Sequence, residues 1–242
     1  MISLIIPAYN EESLIGQTLD ALHQAAKATG IEYEIIVVDD ASTDRTAEIA
    51  QSRGAKVVSV SLRQIAAVRN AGARVAAGDT FLFVDADTSV SEQTLRAALD
   101  ALRRGAVGGG SQVRLEGKLP LLGRLYFQVF LLVWRPLKLA AGCFIFARRA
   151  AFEAVGGFDE RFFASEEIWL SKALKSQGKF VIVSPPVISS GRKARMYTTW
   201  QLLSWSIKLL AKGPPAWQKR EGLELWYEGR RESPTPNEKA AK

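Results

Sequence analysis

Two aspartates one residue apart, Asp85 and Asp87, directly follow four apolar residues, Phe81-Leu82-Phe83-Val84. A short apolar run of this kind reads as a buried strand, so both carboxylates fall where the strand stops. Two other runs end in a similar way. Ile2 to Ile6 leads into Pro7-Ala8-Tyr9-Asn10-Glu11, and Glu34 to Val38 leads into Asp39-Asp40. Five acids at one sheet edge repel one another unless cations accompany them. In a chain of net charge +7 the pattern points to a divalent metal with an anionic ligand. Mg2+ and Mn2+ take oxygen ligands and commonly join one or two carboxylates to substrate phosphates. The expected chemistry is a metal holding a diphosphate. A solvated acidic loop is the plainer reading of a lone Asp-x-Asp, and the three marked strand ends together weigh against it.

The elements that must position these groups alternate. Ile15, Leu19, Leu22 and Ala26 recur at helical spacing within Glu11 to Ala28. Ser42-Thr43-Asp44 is placed to cap a second helix. Lys56 to Val60 reads as a third strand. Ile65, Val68, Gly72 and Val75 line one face of a third helix, which Gly78 ends. The order βαβαβαβ predicts an α/β fold: a Rossmann-like, mostly parallel sheet with helices on both faces. Ligands of such sheets bind beyond the carboxyl ends of the strands, which is where the acids lie. Further on, the spacing predicts helices over Ser91 to Arg103, Ala150 to Val155, Glu166 to Ser176 and Thr198 to Ala211. Strands are expected over Ala106 to Leu115, Cys143 to Ala147 and Phe180 to Val183. The expected organisation is one domain over residues 1–190, a nucleotide-binding half (1–104) and an acceptor half (105–190). A helical, basic extension (191–229) and a disordered polar tail (230–242) follow.

The 242 residues are 48% hydrophobic and 24% charged, the balance of a globular protein. One cysteine, Cys143, excludes an internal disulfide and reads as a small core residue. No signal peptide is seen, and a cytoplasmic setting is expected. The apolar region Leu119 to Phe146 is interrupted by Arg124, Arg135, Pro136 and Lys138. Its unbroken piece is about half of the roughly 20 residues a membrane span needs. Leu119 to Leu139 and Thr198 to Trp217 mix apolar, aromatic and basic residues, which suits peripheral contact with the inner face of a membrane or, more plainly, a core helix or dimer face. Basic residues are scattered and no nucleic-acid motif is present, so no nucleic-acid partner is expected. His23 has no ligand constellation around it and reads as a surface or packing residue.

Four motifs in order, "IIPAYNEE", "IIVVDDASTDRT", "RNAGARVAAGDTFLFVDADT" and "AVGGFDERFFASEEIWLSKAL", resemble a family 2 glycosyltransferase of the GT-A fold, over about Met1 to Pro185. The resemblance implies an inverting, metal-dependent transfer of a sugar from a nucleoside-diphosphate sugar, UDP- or GDP-linked, to an acceptor hydroxyl or lipid-linked acceptor. It implies Mn2+ or Mg2+ as cofactor. Residue by residue, Pro7, Ala8, Tyr9 and Glu11 would line the nucleoside pocket and Asp40 would accept from the base. Arg69 would lie near the nucleotide, Asp85 by the ribose or sugar, and Asp87 on the metal. Glu166-Glu167 stands where the family places its acidic catalytic pair, with Glu167 as the base and Ser165 as a helix cap; the plainer reading of the pair is that it complements a helix dipole. Arg192, in "SSGRKAR", either closes over the diphosphate or belongs to a solvated basic loop. Trp169 stands where many relatives have a further Asp, and Lys172-Ala173 near a usual Arg; Trp169 is expected to pack in the core. A catalytically degenerate nucleotide-binding protein of the same fold is the alternative. A dehalogenase-type phosphatase and a nucleotidyltransferase fit less well. Three βα units precede the Asp-x-Asp, and no Gly-rich phosphate loop follows the first strand.

Overall fold

In a computed structural model of the chain, residues 1–117 and 137–192 are described, together with positions 123, 200, 201, 203, 204, 207, 213 and 217–221. The tail, most of Leu119 to Leu139 and most of Thr198 to Trp217 lie outside the described residues. The chain runs β1 (Ile2–Ala8), α1 (Ile15–Thr29), β2 (Tyr33–Asp40), α2 (Thr46–Ser52), β3 (Lys56–Val60), α3 (Ile65–Val75), β4 (Thr80–Val84), β5 (Thr88–Ser89), α4 (Glu92–Arg103) and β6 (Ala106–Leu115). It continues with β7 (Phe144–Arg148), α5 (Arg149–Ala154), α6 (Glu166–Gln177) and β8 (Lys179–Ser189). One eight-stranded sheet has the order β3-β2-β1-β4-β7-β6-β8-β5. The four strands expected at the start are mutually parallel; β7 runs antiparallel to both its neighbours, and β5 antiparallel to β8.

Every residue of β1 is buried, as a strand covered on both faces must be. Ile2, Leu4 and Ile6 pack toward Ile15, Leu19 and Leu22 of α1 and Leu95 and Leu99 of α4. Ile5, Ile36 and Val38 face the other way, toward Val68 of α3, Phe152 of α5 and Leu170 and Leu174 of α6. Helices therefore cover both faces, as the alternation predicts.

Three local expectations differ from the structure. α1 starts at Ile15 rather than Glu11, because the Glu11 backbone N–H is drawn 2.7 Å from Thr46 Oγ1 and its carbonyl instead closes a turn with Leu14 and Ile15. Of the expected cap of α2, only Asp44 serves the helix, accepting from Thr46 N at 3.0 Å. Ser42 and Thr43 bind the Asn10 loop instead. β8 extends far past Val183 despite Pro185-Pro186. Its register to β6 jumps from Ser111–Val183 to Val113–Val187, so the strand bulges over the prolines, which have no N–H to give.

α3 lies unusually close to the sheet. A Cβ added at Gly72 would stand 2.4 Å from Ile5 Cγ2 and 2.9 Å from Val38 Cγ2. Helix propensity alone favours Ala over Gly by about 1 kcal/mol. Overpacking costs about 1–3 kcal/mol and outweighs it. Gly72→Ala is therefore expected to lower the thermal unfolding midpoint; an unchanged or raised midpoint would contradict this close contact.

Candidate active site

The carboxyl ends of β1, β2 and β4 open into a cavity of about 430 Å³, within the range of small-molecule sites. All eleven residues singled out above line it: Pro7, Ala8, Tyr9, Glu11, Asp40, Arg69, Asp85, Asp87, Glu166, Glu167 and Arg192. The far wall comes from the residues just ahead of β7, the loop before α6, and the end of β8 with Arg192 beyond it.

Protein groups already answer most of the acids. The pleat sends Asp39 and Asp40 to opposite faces; Asp39 is buried outside the cavity wall, and Asp40 lines it. Asp40 Oδ1 accepts the backbone N–H of Leu62 at 2.7 Å and of Arg63 at 3.1 Å. Asp85 and Asp87 each face an arginine. Arg69, 2% exposed, donates from Nη2 to Asp85 Oδ1 and the Gly142 carbonyl, both at 2.9 Å, and from Nη1 to Glu166 Oε1 at 2.5 Å. Arg192 donates from Nη2 to Glu11 Oε1 at 2.6 Å and Asp87 Oδ2 at 3.0 Å. Arg192 is buried, so the solvated-loop reading of this position is incorrect. Burial works against both guanidinium charges, and the carboxylates more than offset it.

α3 also holds the segment that carries Glu166 and Glu167. Asn70 donates to the Phe158 carbonyl at 2.8 Å and accepts from Phe158 N at 2.9 Å. Gln64 donates to the carbonyls of Glu160 and Phe162. Gly157, at φ +77, permits this approach; a Cβ there would lie 2.8 Å from Asn70 Oδ1. From the outer side, Phe163 N donates to the Trp217 carbonyl at 2.7 Å. Ser165 does not cap α6. Held at φ 64, it makes no capping hydrogen bond, because the loop turns through it to deliver the two glutamates.

Glu166 and Glu167 titrate as a pair. Burial raises both. Arg69 lies against Glu166, so Glu166 ionises first. Burial and then the Glu166 charge push Glu167 up to about 8. Among the described residues Glu167 makes no ion pair. Glu167 is half-buried, and a carboxylate with a strongly raised pKa in a cleft is a candidate general base.

Some residues stand out only in three dimensions. The Arg63 guanidinium lies 3.7 Å over the Tyr9 ring; its one visible signal was a basic residue just past β3. Cys143 is half-buried, packed against the core cluster as expected while also lining the cavity wall, and burial with the nearby Asp85 and Asp87 pushes its thiol up. Trp169 is half-buried, stacked on Phe162 with ring centroids 4.8 Å apart, and does not line the cavity. His23 bridges α1 to Tyr33 and the Arg53 carbonyl, a packing role.

The donor set suits a hard divalent ion: Glu11 Oε1 and Asp87 Oδ2 converge on a single cationic atom. Among the described residues, no group of three or more His, Cys, Asp or Glu could hold a metal. An ion at Asp87 would complete its shell with ligand and water oxygens, as Mg2+ and Mn2+ usually do.

Sheet order, cavity position and helix layers define the architecture of GT-A glycosyltransferases. The mannosyltransferase PcManGT from Pyrobaculum calidifontis, solved with GDP-Man and Mn2+, superposes with a TM-score of 0.61 at 23% identity, over 90% of this chain and 66% of that one. S. aureus TarS 1-349 with UDP-GlcNAc gives a TM-score of 0.60 at 22% identity, over 79% and 58%. The model of Glycosyl transferase family 2 matches residues 3–156, and the chain belongs to that family. Among curated relatives, an undecaprenyl-phosphate 4-deoxy-4-formamido-L-arabinose transferase of Edwardsiella ictaluri is 35% identical over 112 residues, 43% of this chain. A dolichol-phosphate mannosyltransferase of Pyrococcus furiosus is 33% identical over 125 residues, 48% of this chain. The chain spans about a third of the length of each of these two relatives, 34%.

Removing one partner of a buried ion pair costs about 3–5 kcal/mol. Arg69→Met, which strands Asp85 and Glu166, is expected to lose that much in denaturant unfolding. Arg69→Lys, a point charge that cannot span three acceptors at once, falls between. A loss under 1 kcal/mol for the Met variant would mean that the pairs carry little of the fold.

Proposed function

We propose that the protein is an inverting, metal-dependent glycosyltransferase that moves a sugar from a UDP- or GDP-sugar to an acceptor hydroxyl or a lipid-linked acceptor. The observation that carries this reading is one cavity with two chemical ends. One end gathers Glu11, Asp87 and Arg192, suited to a metal-bound diphosphate. The other presents Glu167, a carboxylate of raised pKa with no ion-pair partner among the described residues. Relatives named for transfer to undecaprenyl or dolichol phosphate, and neighbours solved with UDP-GlcNAc or GDP-Man and Mn2+, support it.

Residues 1–104 then supply the nucleotide side and residues 105–190 the acceptor side. Pro7, Ala8 and Tyr9 flank the nucleoside, and the free oxygen of Asp40 faces the base. Asp85, held by Arg69, orients the ribose or sugar. Asp87 would hold Mn2+ or Mg2+, which would supply Lewis-acid stabilisation of the departing diphosphate. Arg192 adds a guanidinium fork for phosphate oxygens. Glu167 takes the acceptor proton as the acceptor oxygen attacks the anomeric carbon from the face opposite the leaving group. Glu166, fixed by Arg69, keeps the Glu167 pKa high, so the base is strong enough to take up a hydroxyl proton.

Glu167→Gln is expected to lower kcat about 10²–10⁴-fold while leaving nucleoside-diphosphate affinity within a few-fold. Wild-type kcat/KM rises with pH because only the carboxylate form accepts the proton, and the rise levels off near the Glu167 pKa of about 8. Asp87→Ala abolishes the metal-dependent part of nucleotide binding in calorimetry. Tight nucleotide binding without turnover of any UDP- or GDP-sugar would instead identify a degenerate, binding-only member of the fold.

Peripheral membrane contact belongs to the same proposal. No helix among the described residues is long and apolar enough to cross a membrane. Beside exposed Leu137, Lys138, Lys172 and Lys175 cluster without a carboxylate among their described partners; burial and then its two lysine neighbours lower the Lys175 pKa. Trp200 and Ile207, seven residues apart, are also exposed, at 72% and 55%. A lysine near an anionic bilayer is worth about 1 kcal/mol. The protein is therefore expected to float with phosphatidylglycerol liposomes at low salt, and the triple Lys→Glu variant to stay behind. Absence of flotation by the wild type at low salt would remove membrane contact from the proposal.

A further inference from the structure

One nitrogen, Arg192 Nη2, lies between two carboxylates, 2.6 Å from Glu11 Oε1 and 3.0 Å from Asp87 Oδ2. All three side chains are nearly out of solvent, at 8%, 11% and 14% exposure. Glu11 follows β1 and Asp87 follows β4, adjacent parallel strands, so the sheet itself presses these two like charges together. Arg192 offsets their repulsion, and does so on the oxygens that a divalent ion at Asp87 would require. Its backbone is tied to the Asp-x-Asp turn: Ser190 N donates to the Asp87 carbonyl at 3.0 Å, and Arg192 N to Ser190 Oγ at 3.3 Å. The side chain is long enough to move its guanidinium while that tether stays in place.

We propose that Arg192 is a resident counter-cation of the metal-binding carboxylates, and that it couples metal binding to nucleotide binding. This rests on the glycosyltransferase reading above. An ion entering alone must displace the guanidinium and leave it buried without an anion, which is unfavourable. A nucleoside diphosphate entering with the ion supplies the replacement partner, and phosphate oxygens match the guanidinium fork better than a point charge. Metal and nucleotide therefore bind synergistically, each raising the affinity of the other by the same factor. Arg192 positions the diphosphate once it is bound and, before that, keeps the site from filling with metal alone.

The test is Mn2+ binding to the full chain, read as loss of the free-ion EPR signal, without and with saturating UDP or GDP. For the wild type, Mn2+ alone is expected to bind weakly, and at least about tenfold more tightly with the nucleotide. In Arg192→Gln, Mn2+ alone binds about tenfold more tightly than to the wild type, the nucleotide binds more weakly, and the coupling factor falls toward one. Arg192→Lys keeps the charge without the fork and falls between; it carries the test at smaller amplitude should the Gln variant not fold. If the wild type binds Mn2+ and nucleotide together but Arg192→Gln leaves the affinity for Mn2+ alone unchanged or weaker, the coupling role is wrong and the transferase reading stands. If the wild type takes up no nucleoside diphosphate with or without Mn2+, both fall.

Discussion

Arg69 is the group on which the cavity depends. It sits on α3, buried, and its guanidinium reaches the Asp-x-Asp turn after β4, the Gly142 carbonyl ahead of β7 and the first residue of α6. Three segments distant in sequence converge on one planar ion with fixed donor directions. A buried guanidinium is stable only when paired and hydrogen-bonded, so its position constrains its partners as much as they constrain it. Gly72, one turn along, lets α3 approach the sheet closely enough for this reach. Asn70 on the same helix and Gln64 just before it then hold the loop that brings in Glu166 and Glu167.

The electrostatic logic follows from that arrangement. Parallel strands deliver their carboxyl ends, and with them the acids, to one edge. The protein answers each acid differently. Asp40 receives two backbone N–H groups, Asp85 and Glu166 share Arg69, and Glu11 and Asp87 share Arg192. Among the described residues Glu167 receives no cation of its own, and its proton is correspondingly hard to remove. Neighbouring carboxylates are thus treated unequally: some are held by arginines or backbone N–H groups, and Glu167 is the one the proposed mechanism uses as a base.

The two arginines differ in what they allow. Arg69 has three protein acceptors on three segments, so moving it would undo the wall of the cavity. Arg192 contacts two carboxylates that a divalent ion would also bind, and it follows the end of β8. One arginine builds the site, and the other is exchangeable within it.

Much of this was legible in the sequence. Continuous apolar runs marked β1, β2 and β4 because a strand buried on both faces needs no alternation. The acids after them marked the edge where a ligand binds, and the order of βα units gave the parallel half of the sheet. Contacts between distant segments were not legible. No local pattern announces that β7 inserts antiparallel between β4 and β6, or that β8 bulges past Pro185 and Pro186. Nor does one announce that Glu11 leaves α1 to meet Thr46. The Asp-x-Asp pattern points to a metal at Asp87 and says nothing of Arg192, 105 residues away, which the fold also brings there. Sequence by itself determined which residue types stand at the strand ends, since periodicity and propensity are local. Only the tertiary structure decided which charges are paired, buried or left alone, because desolvation and Coulomb interaction depend on distance through space and not along the chain.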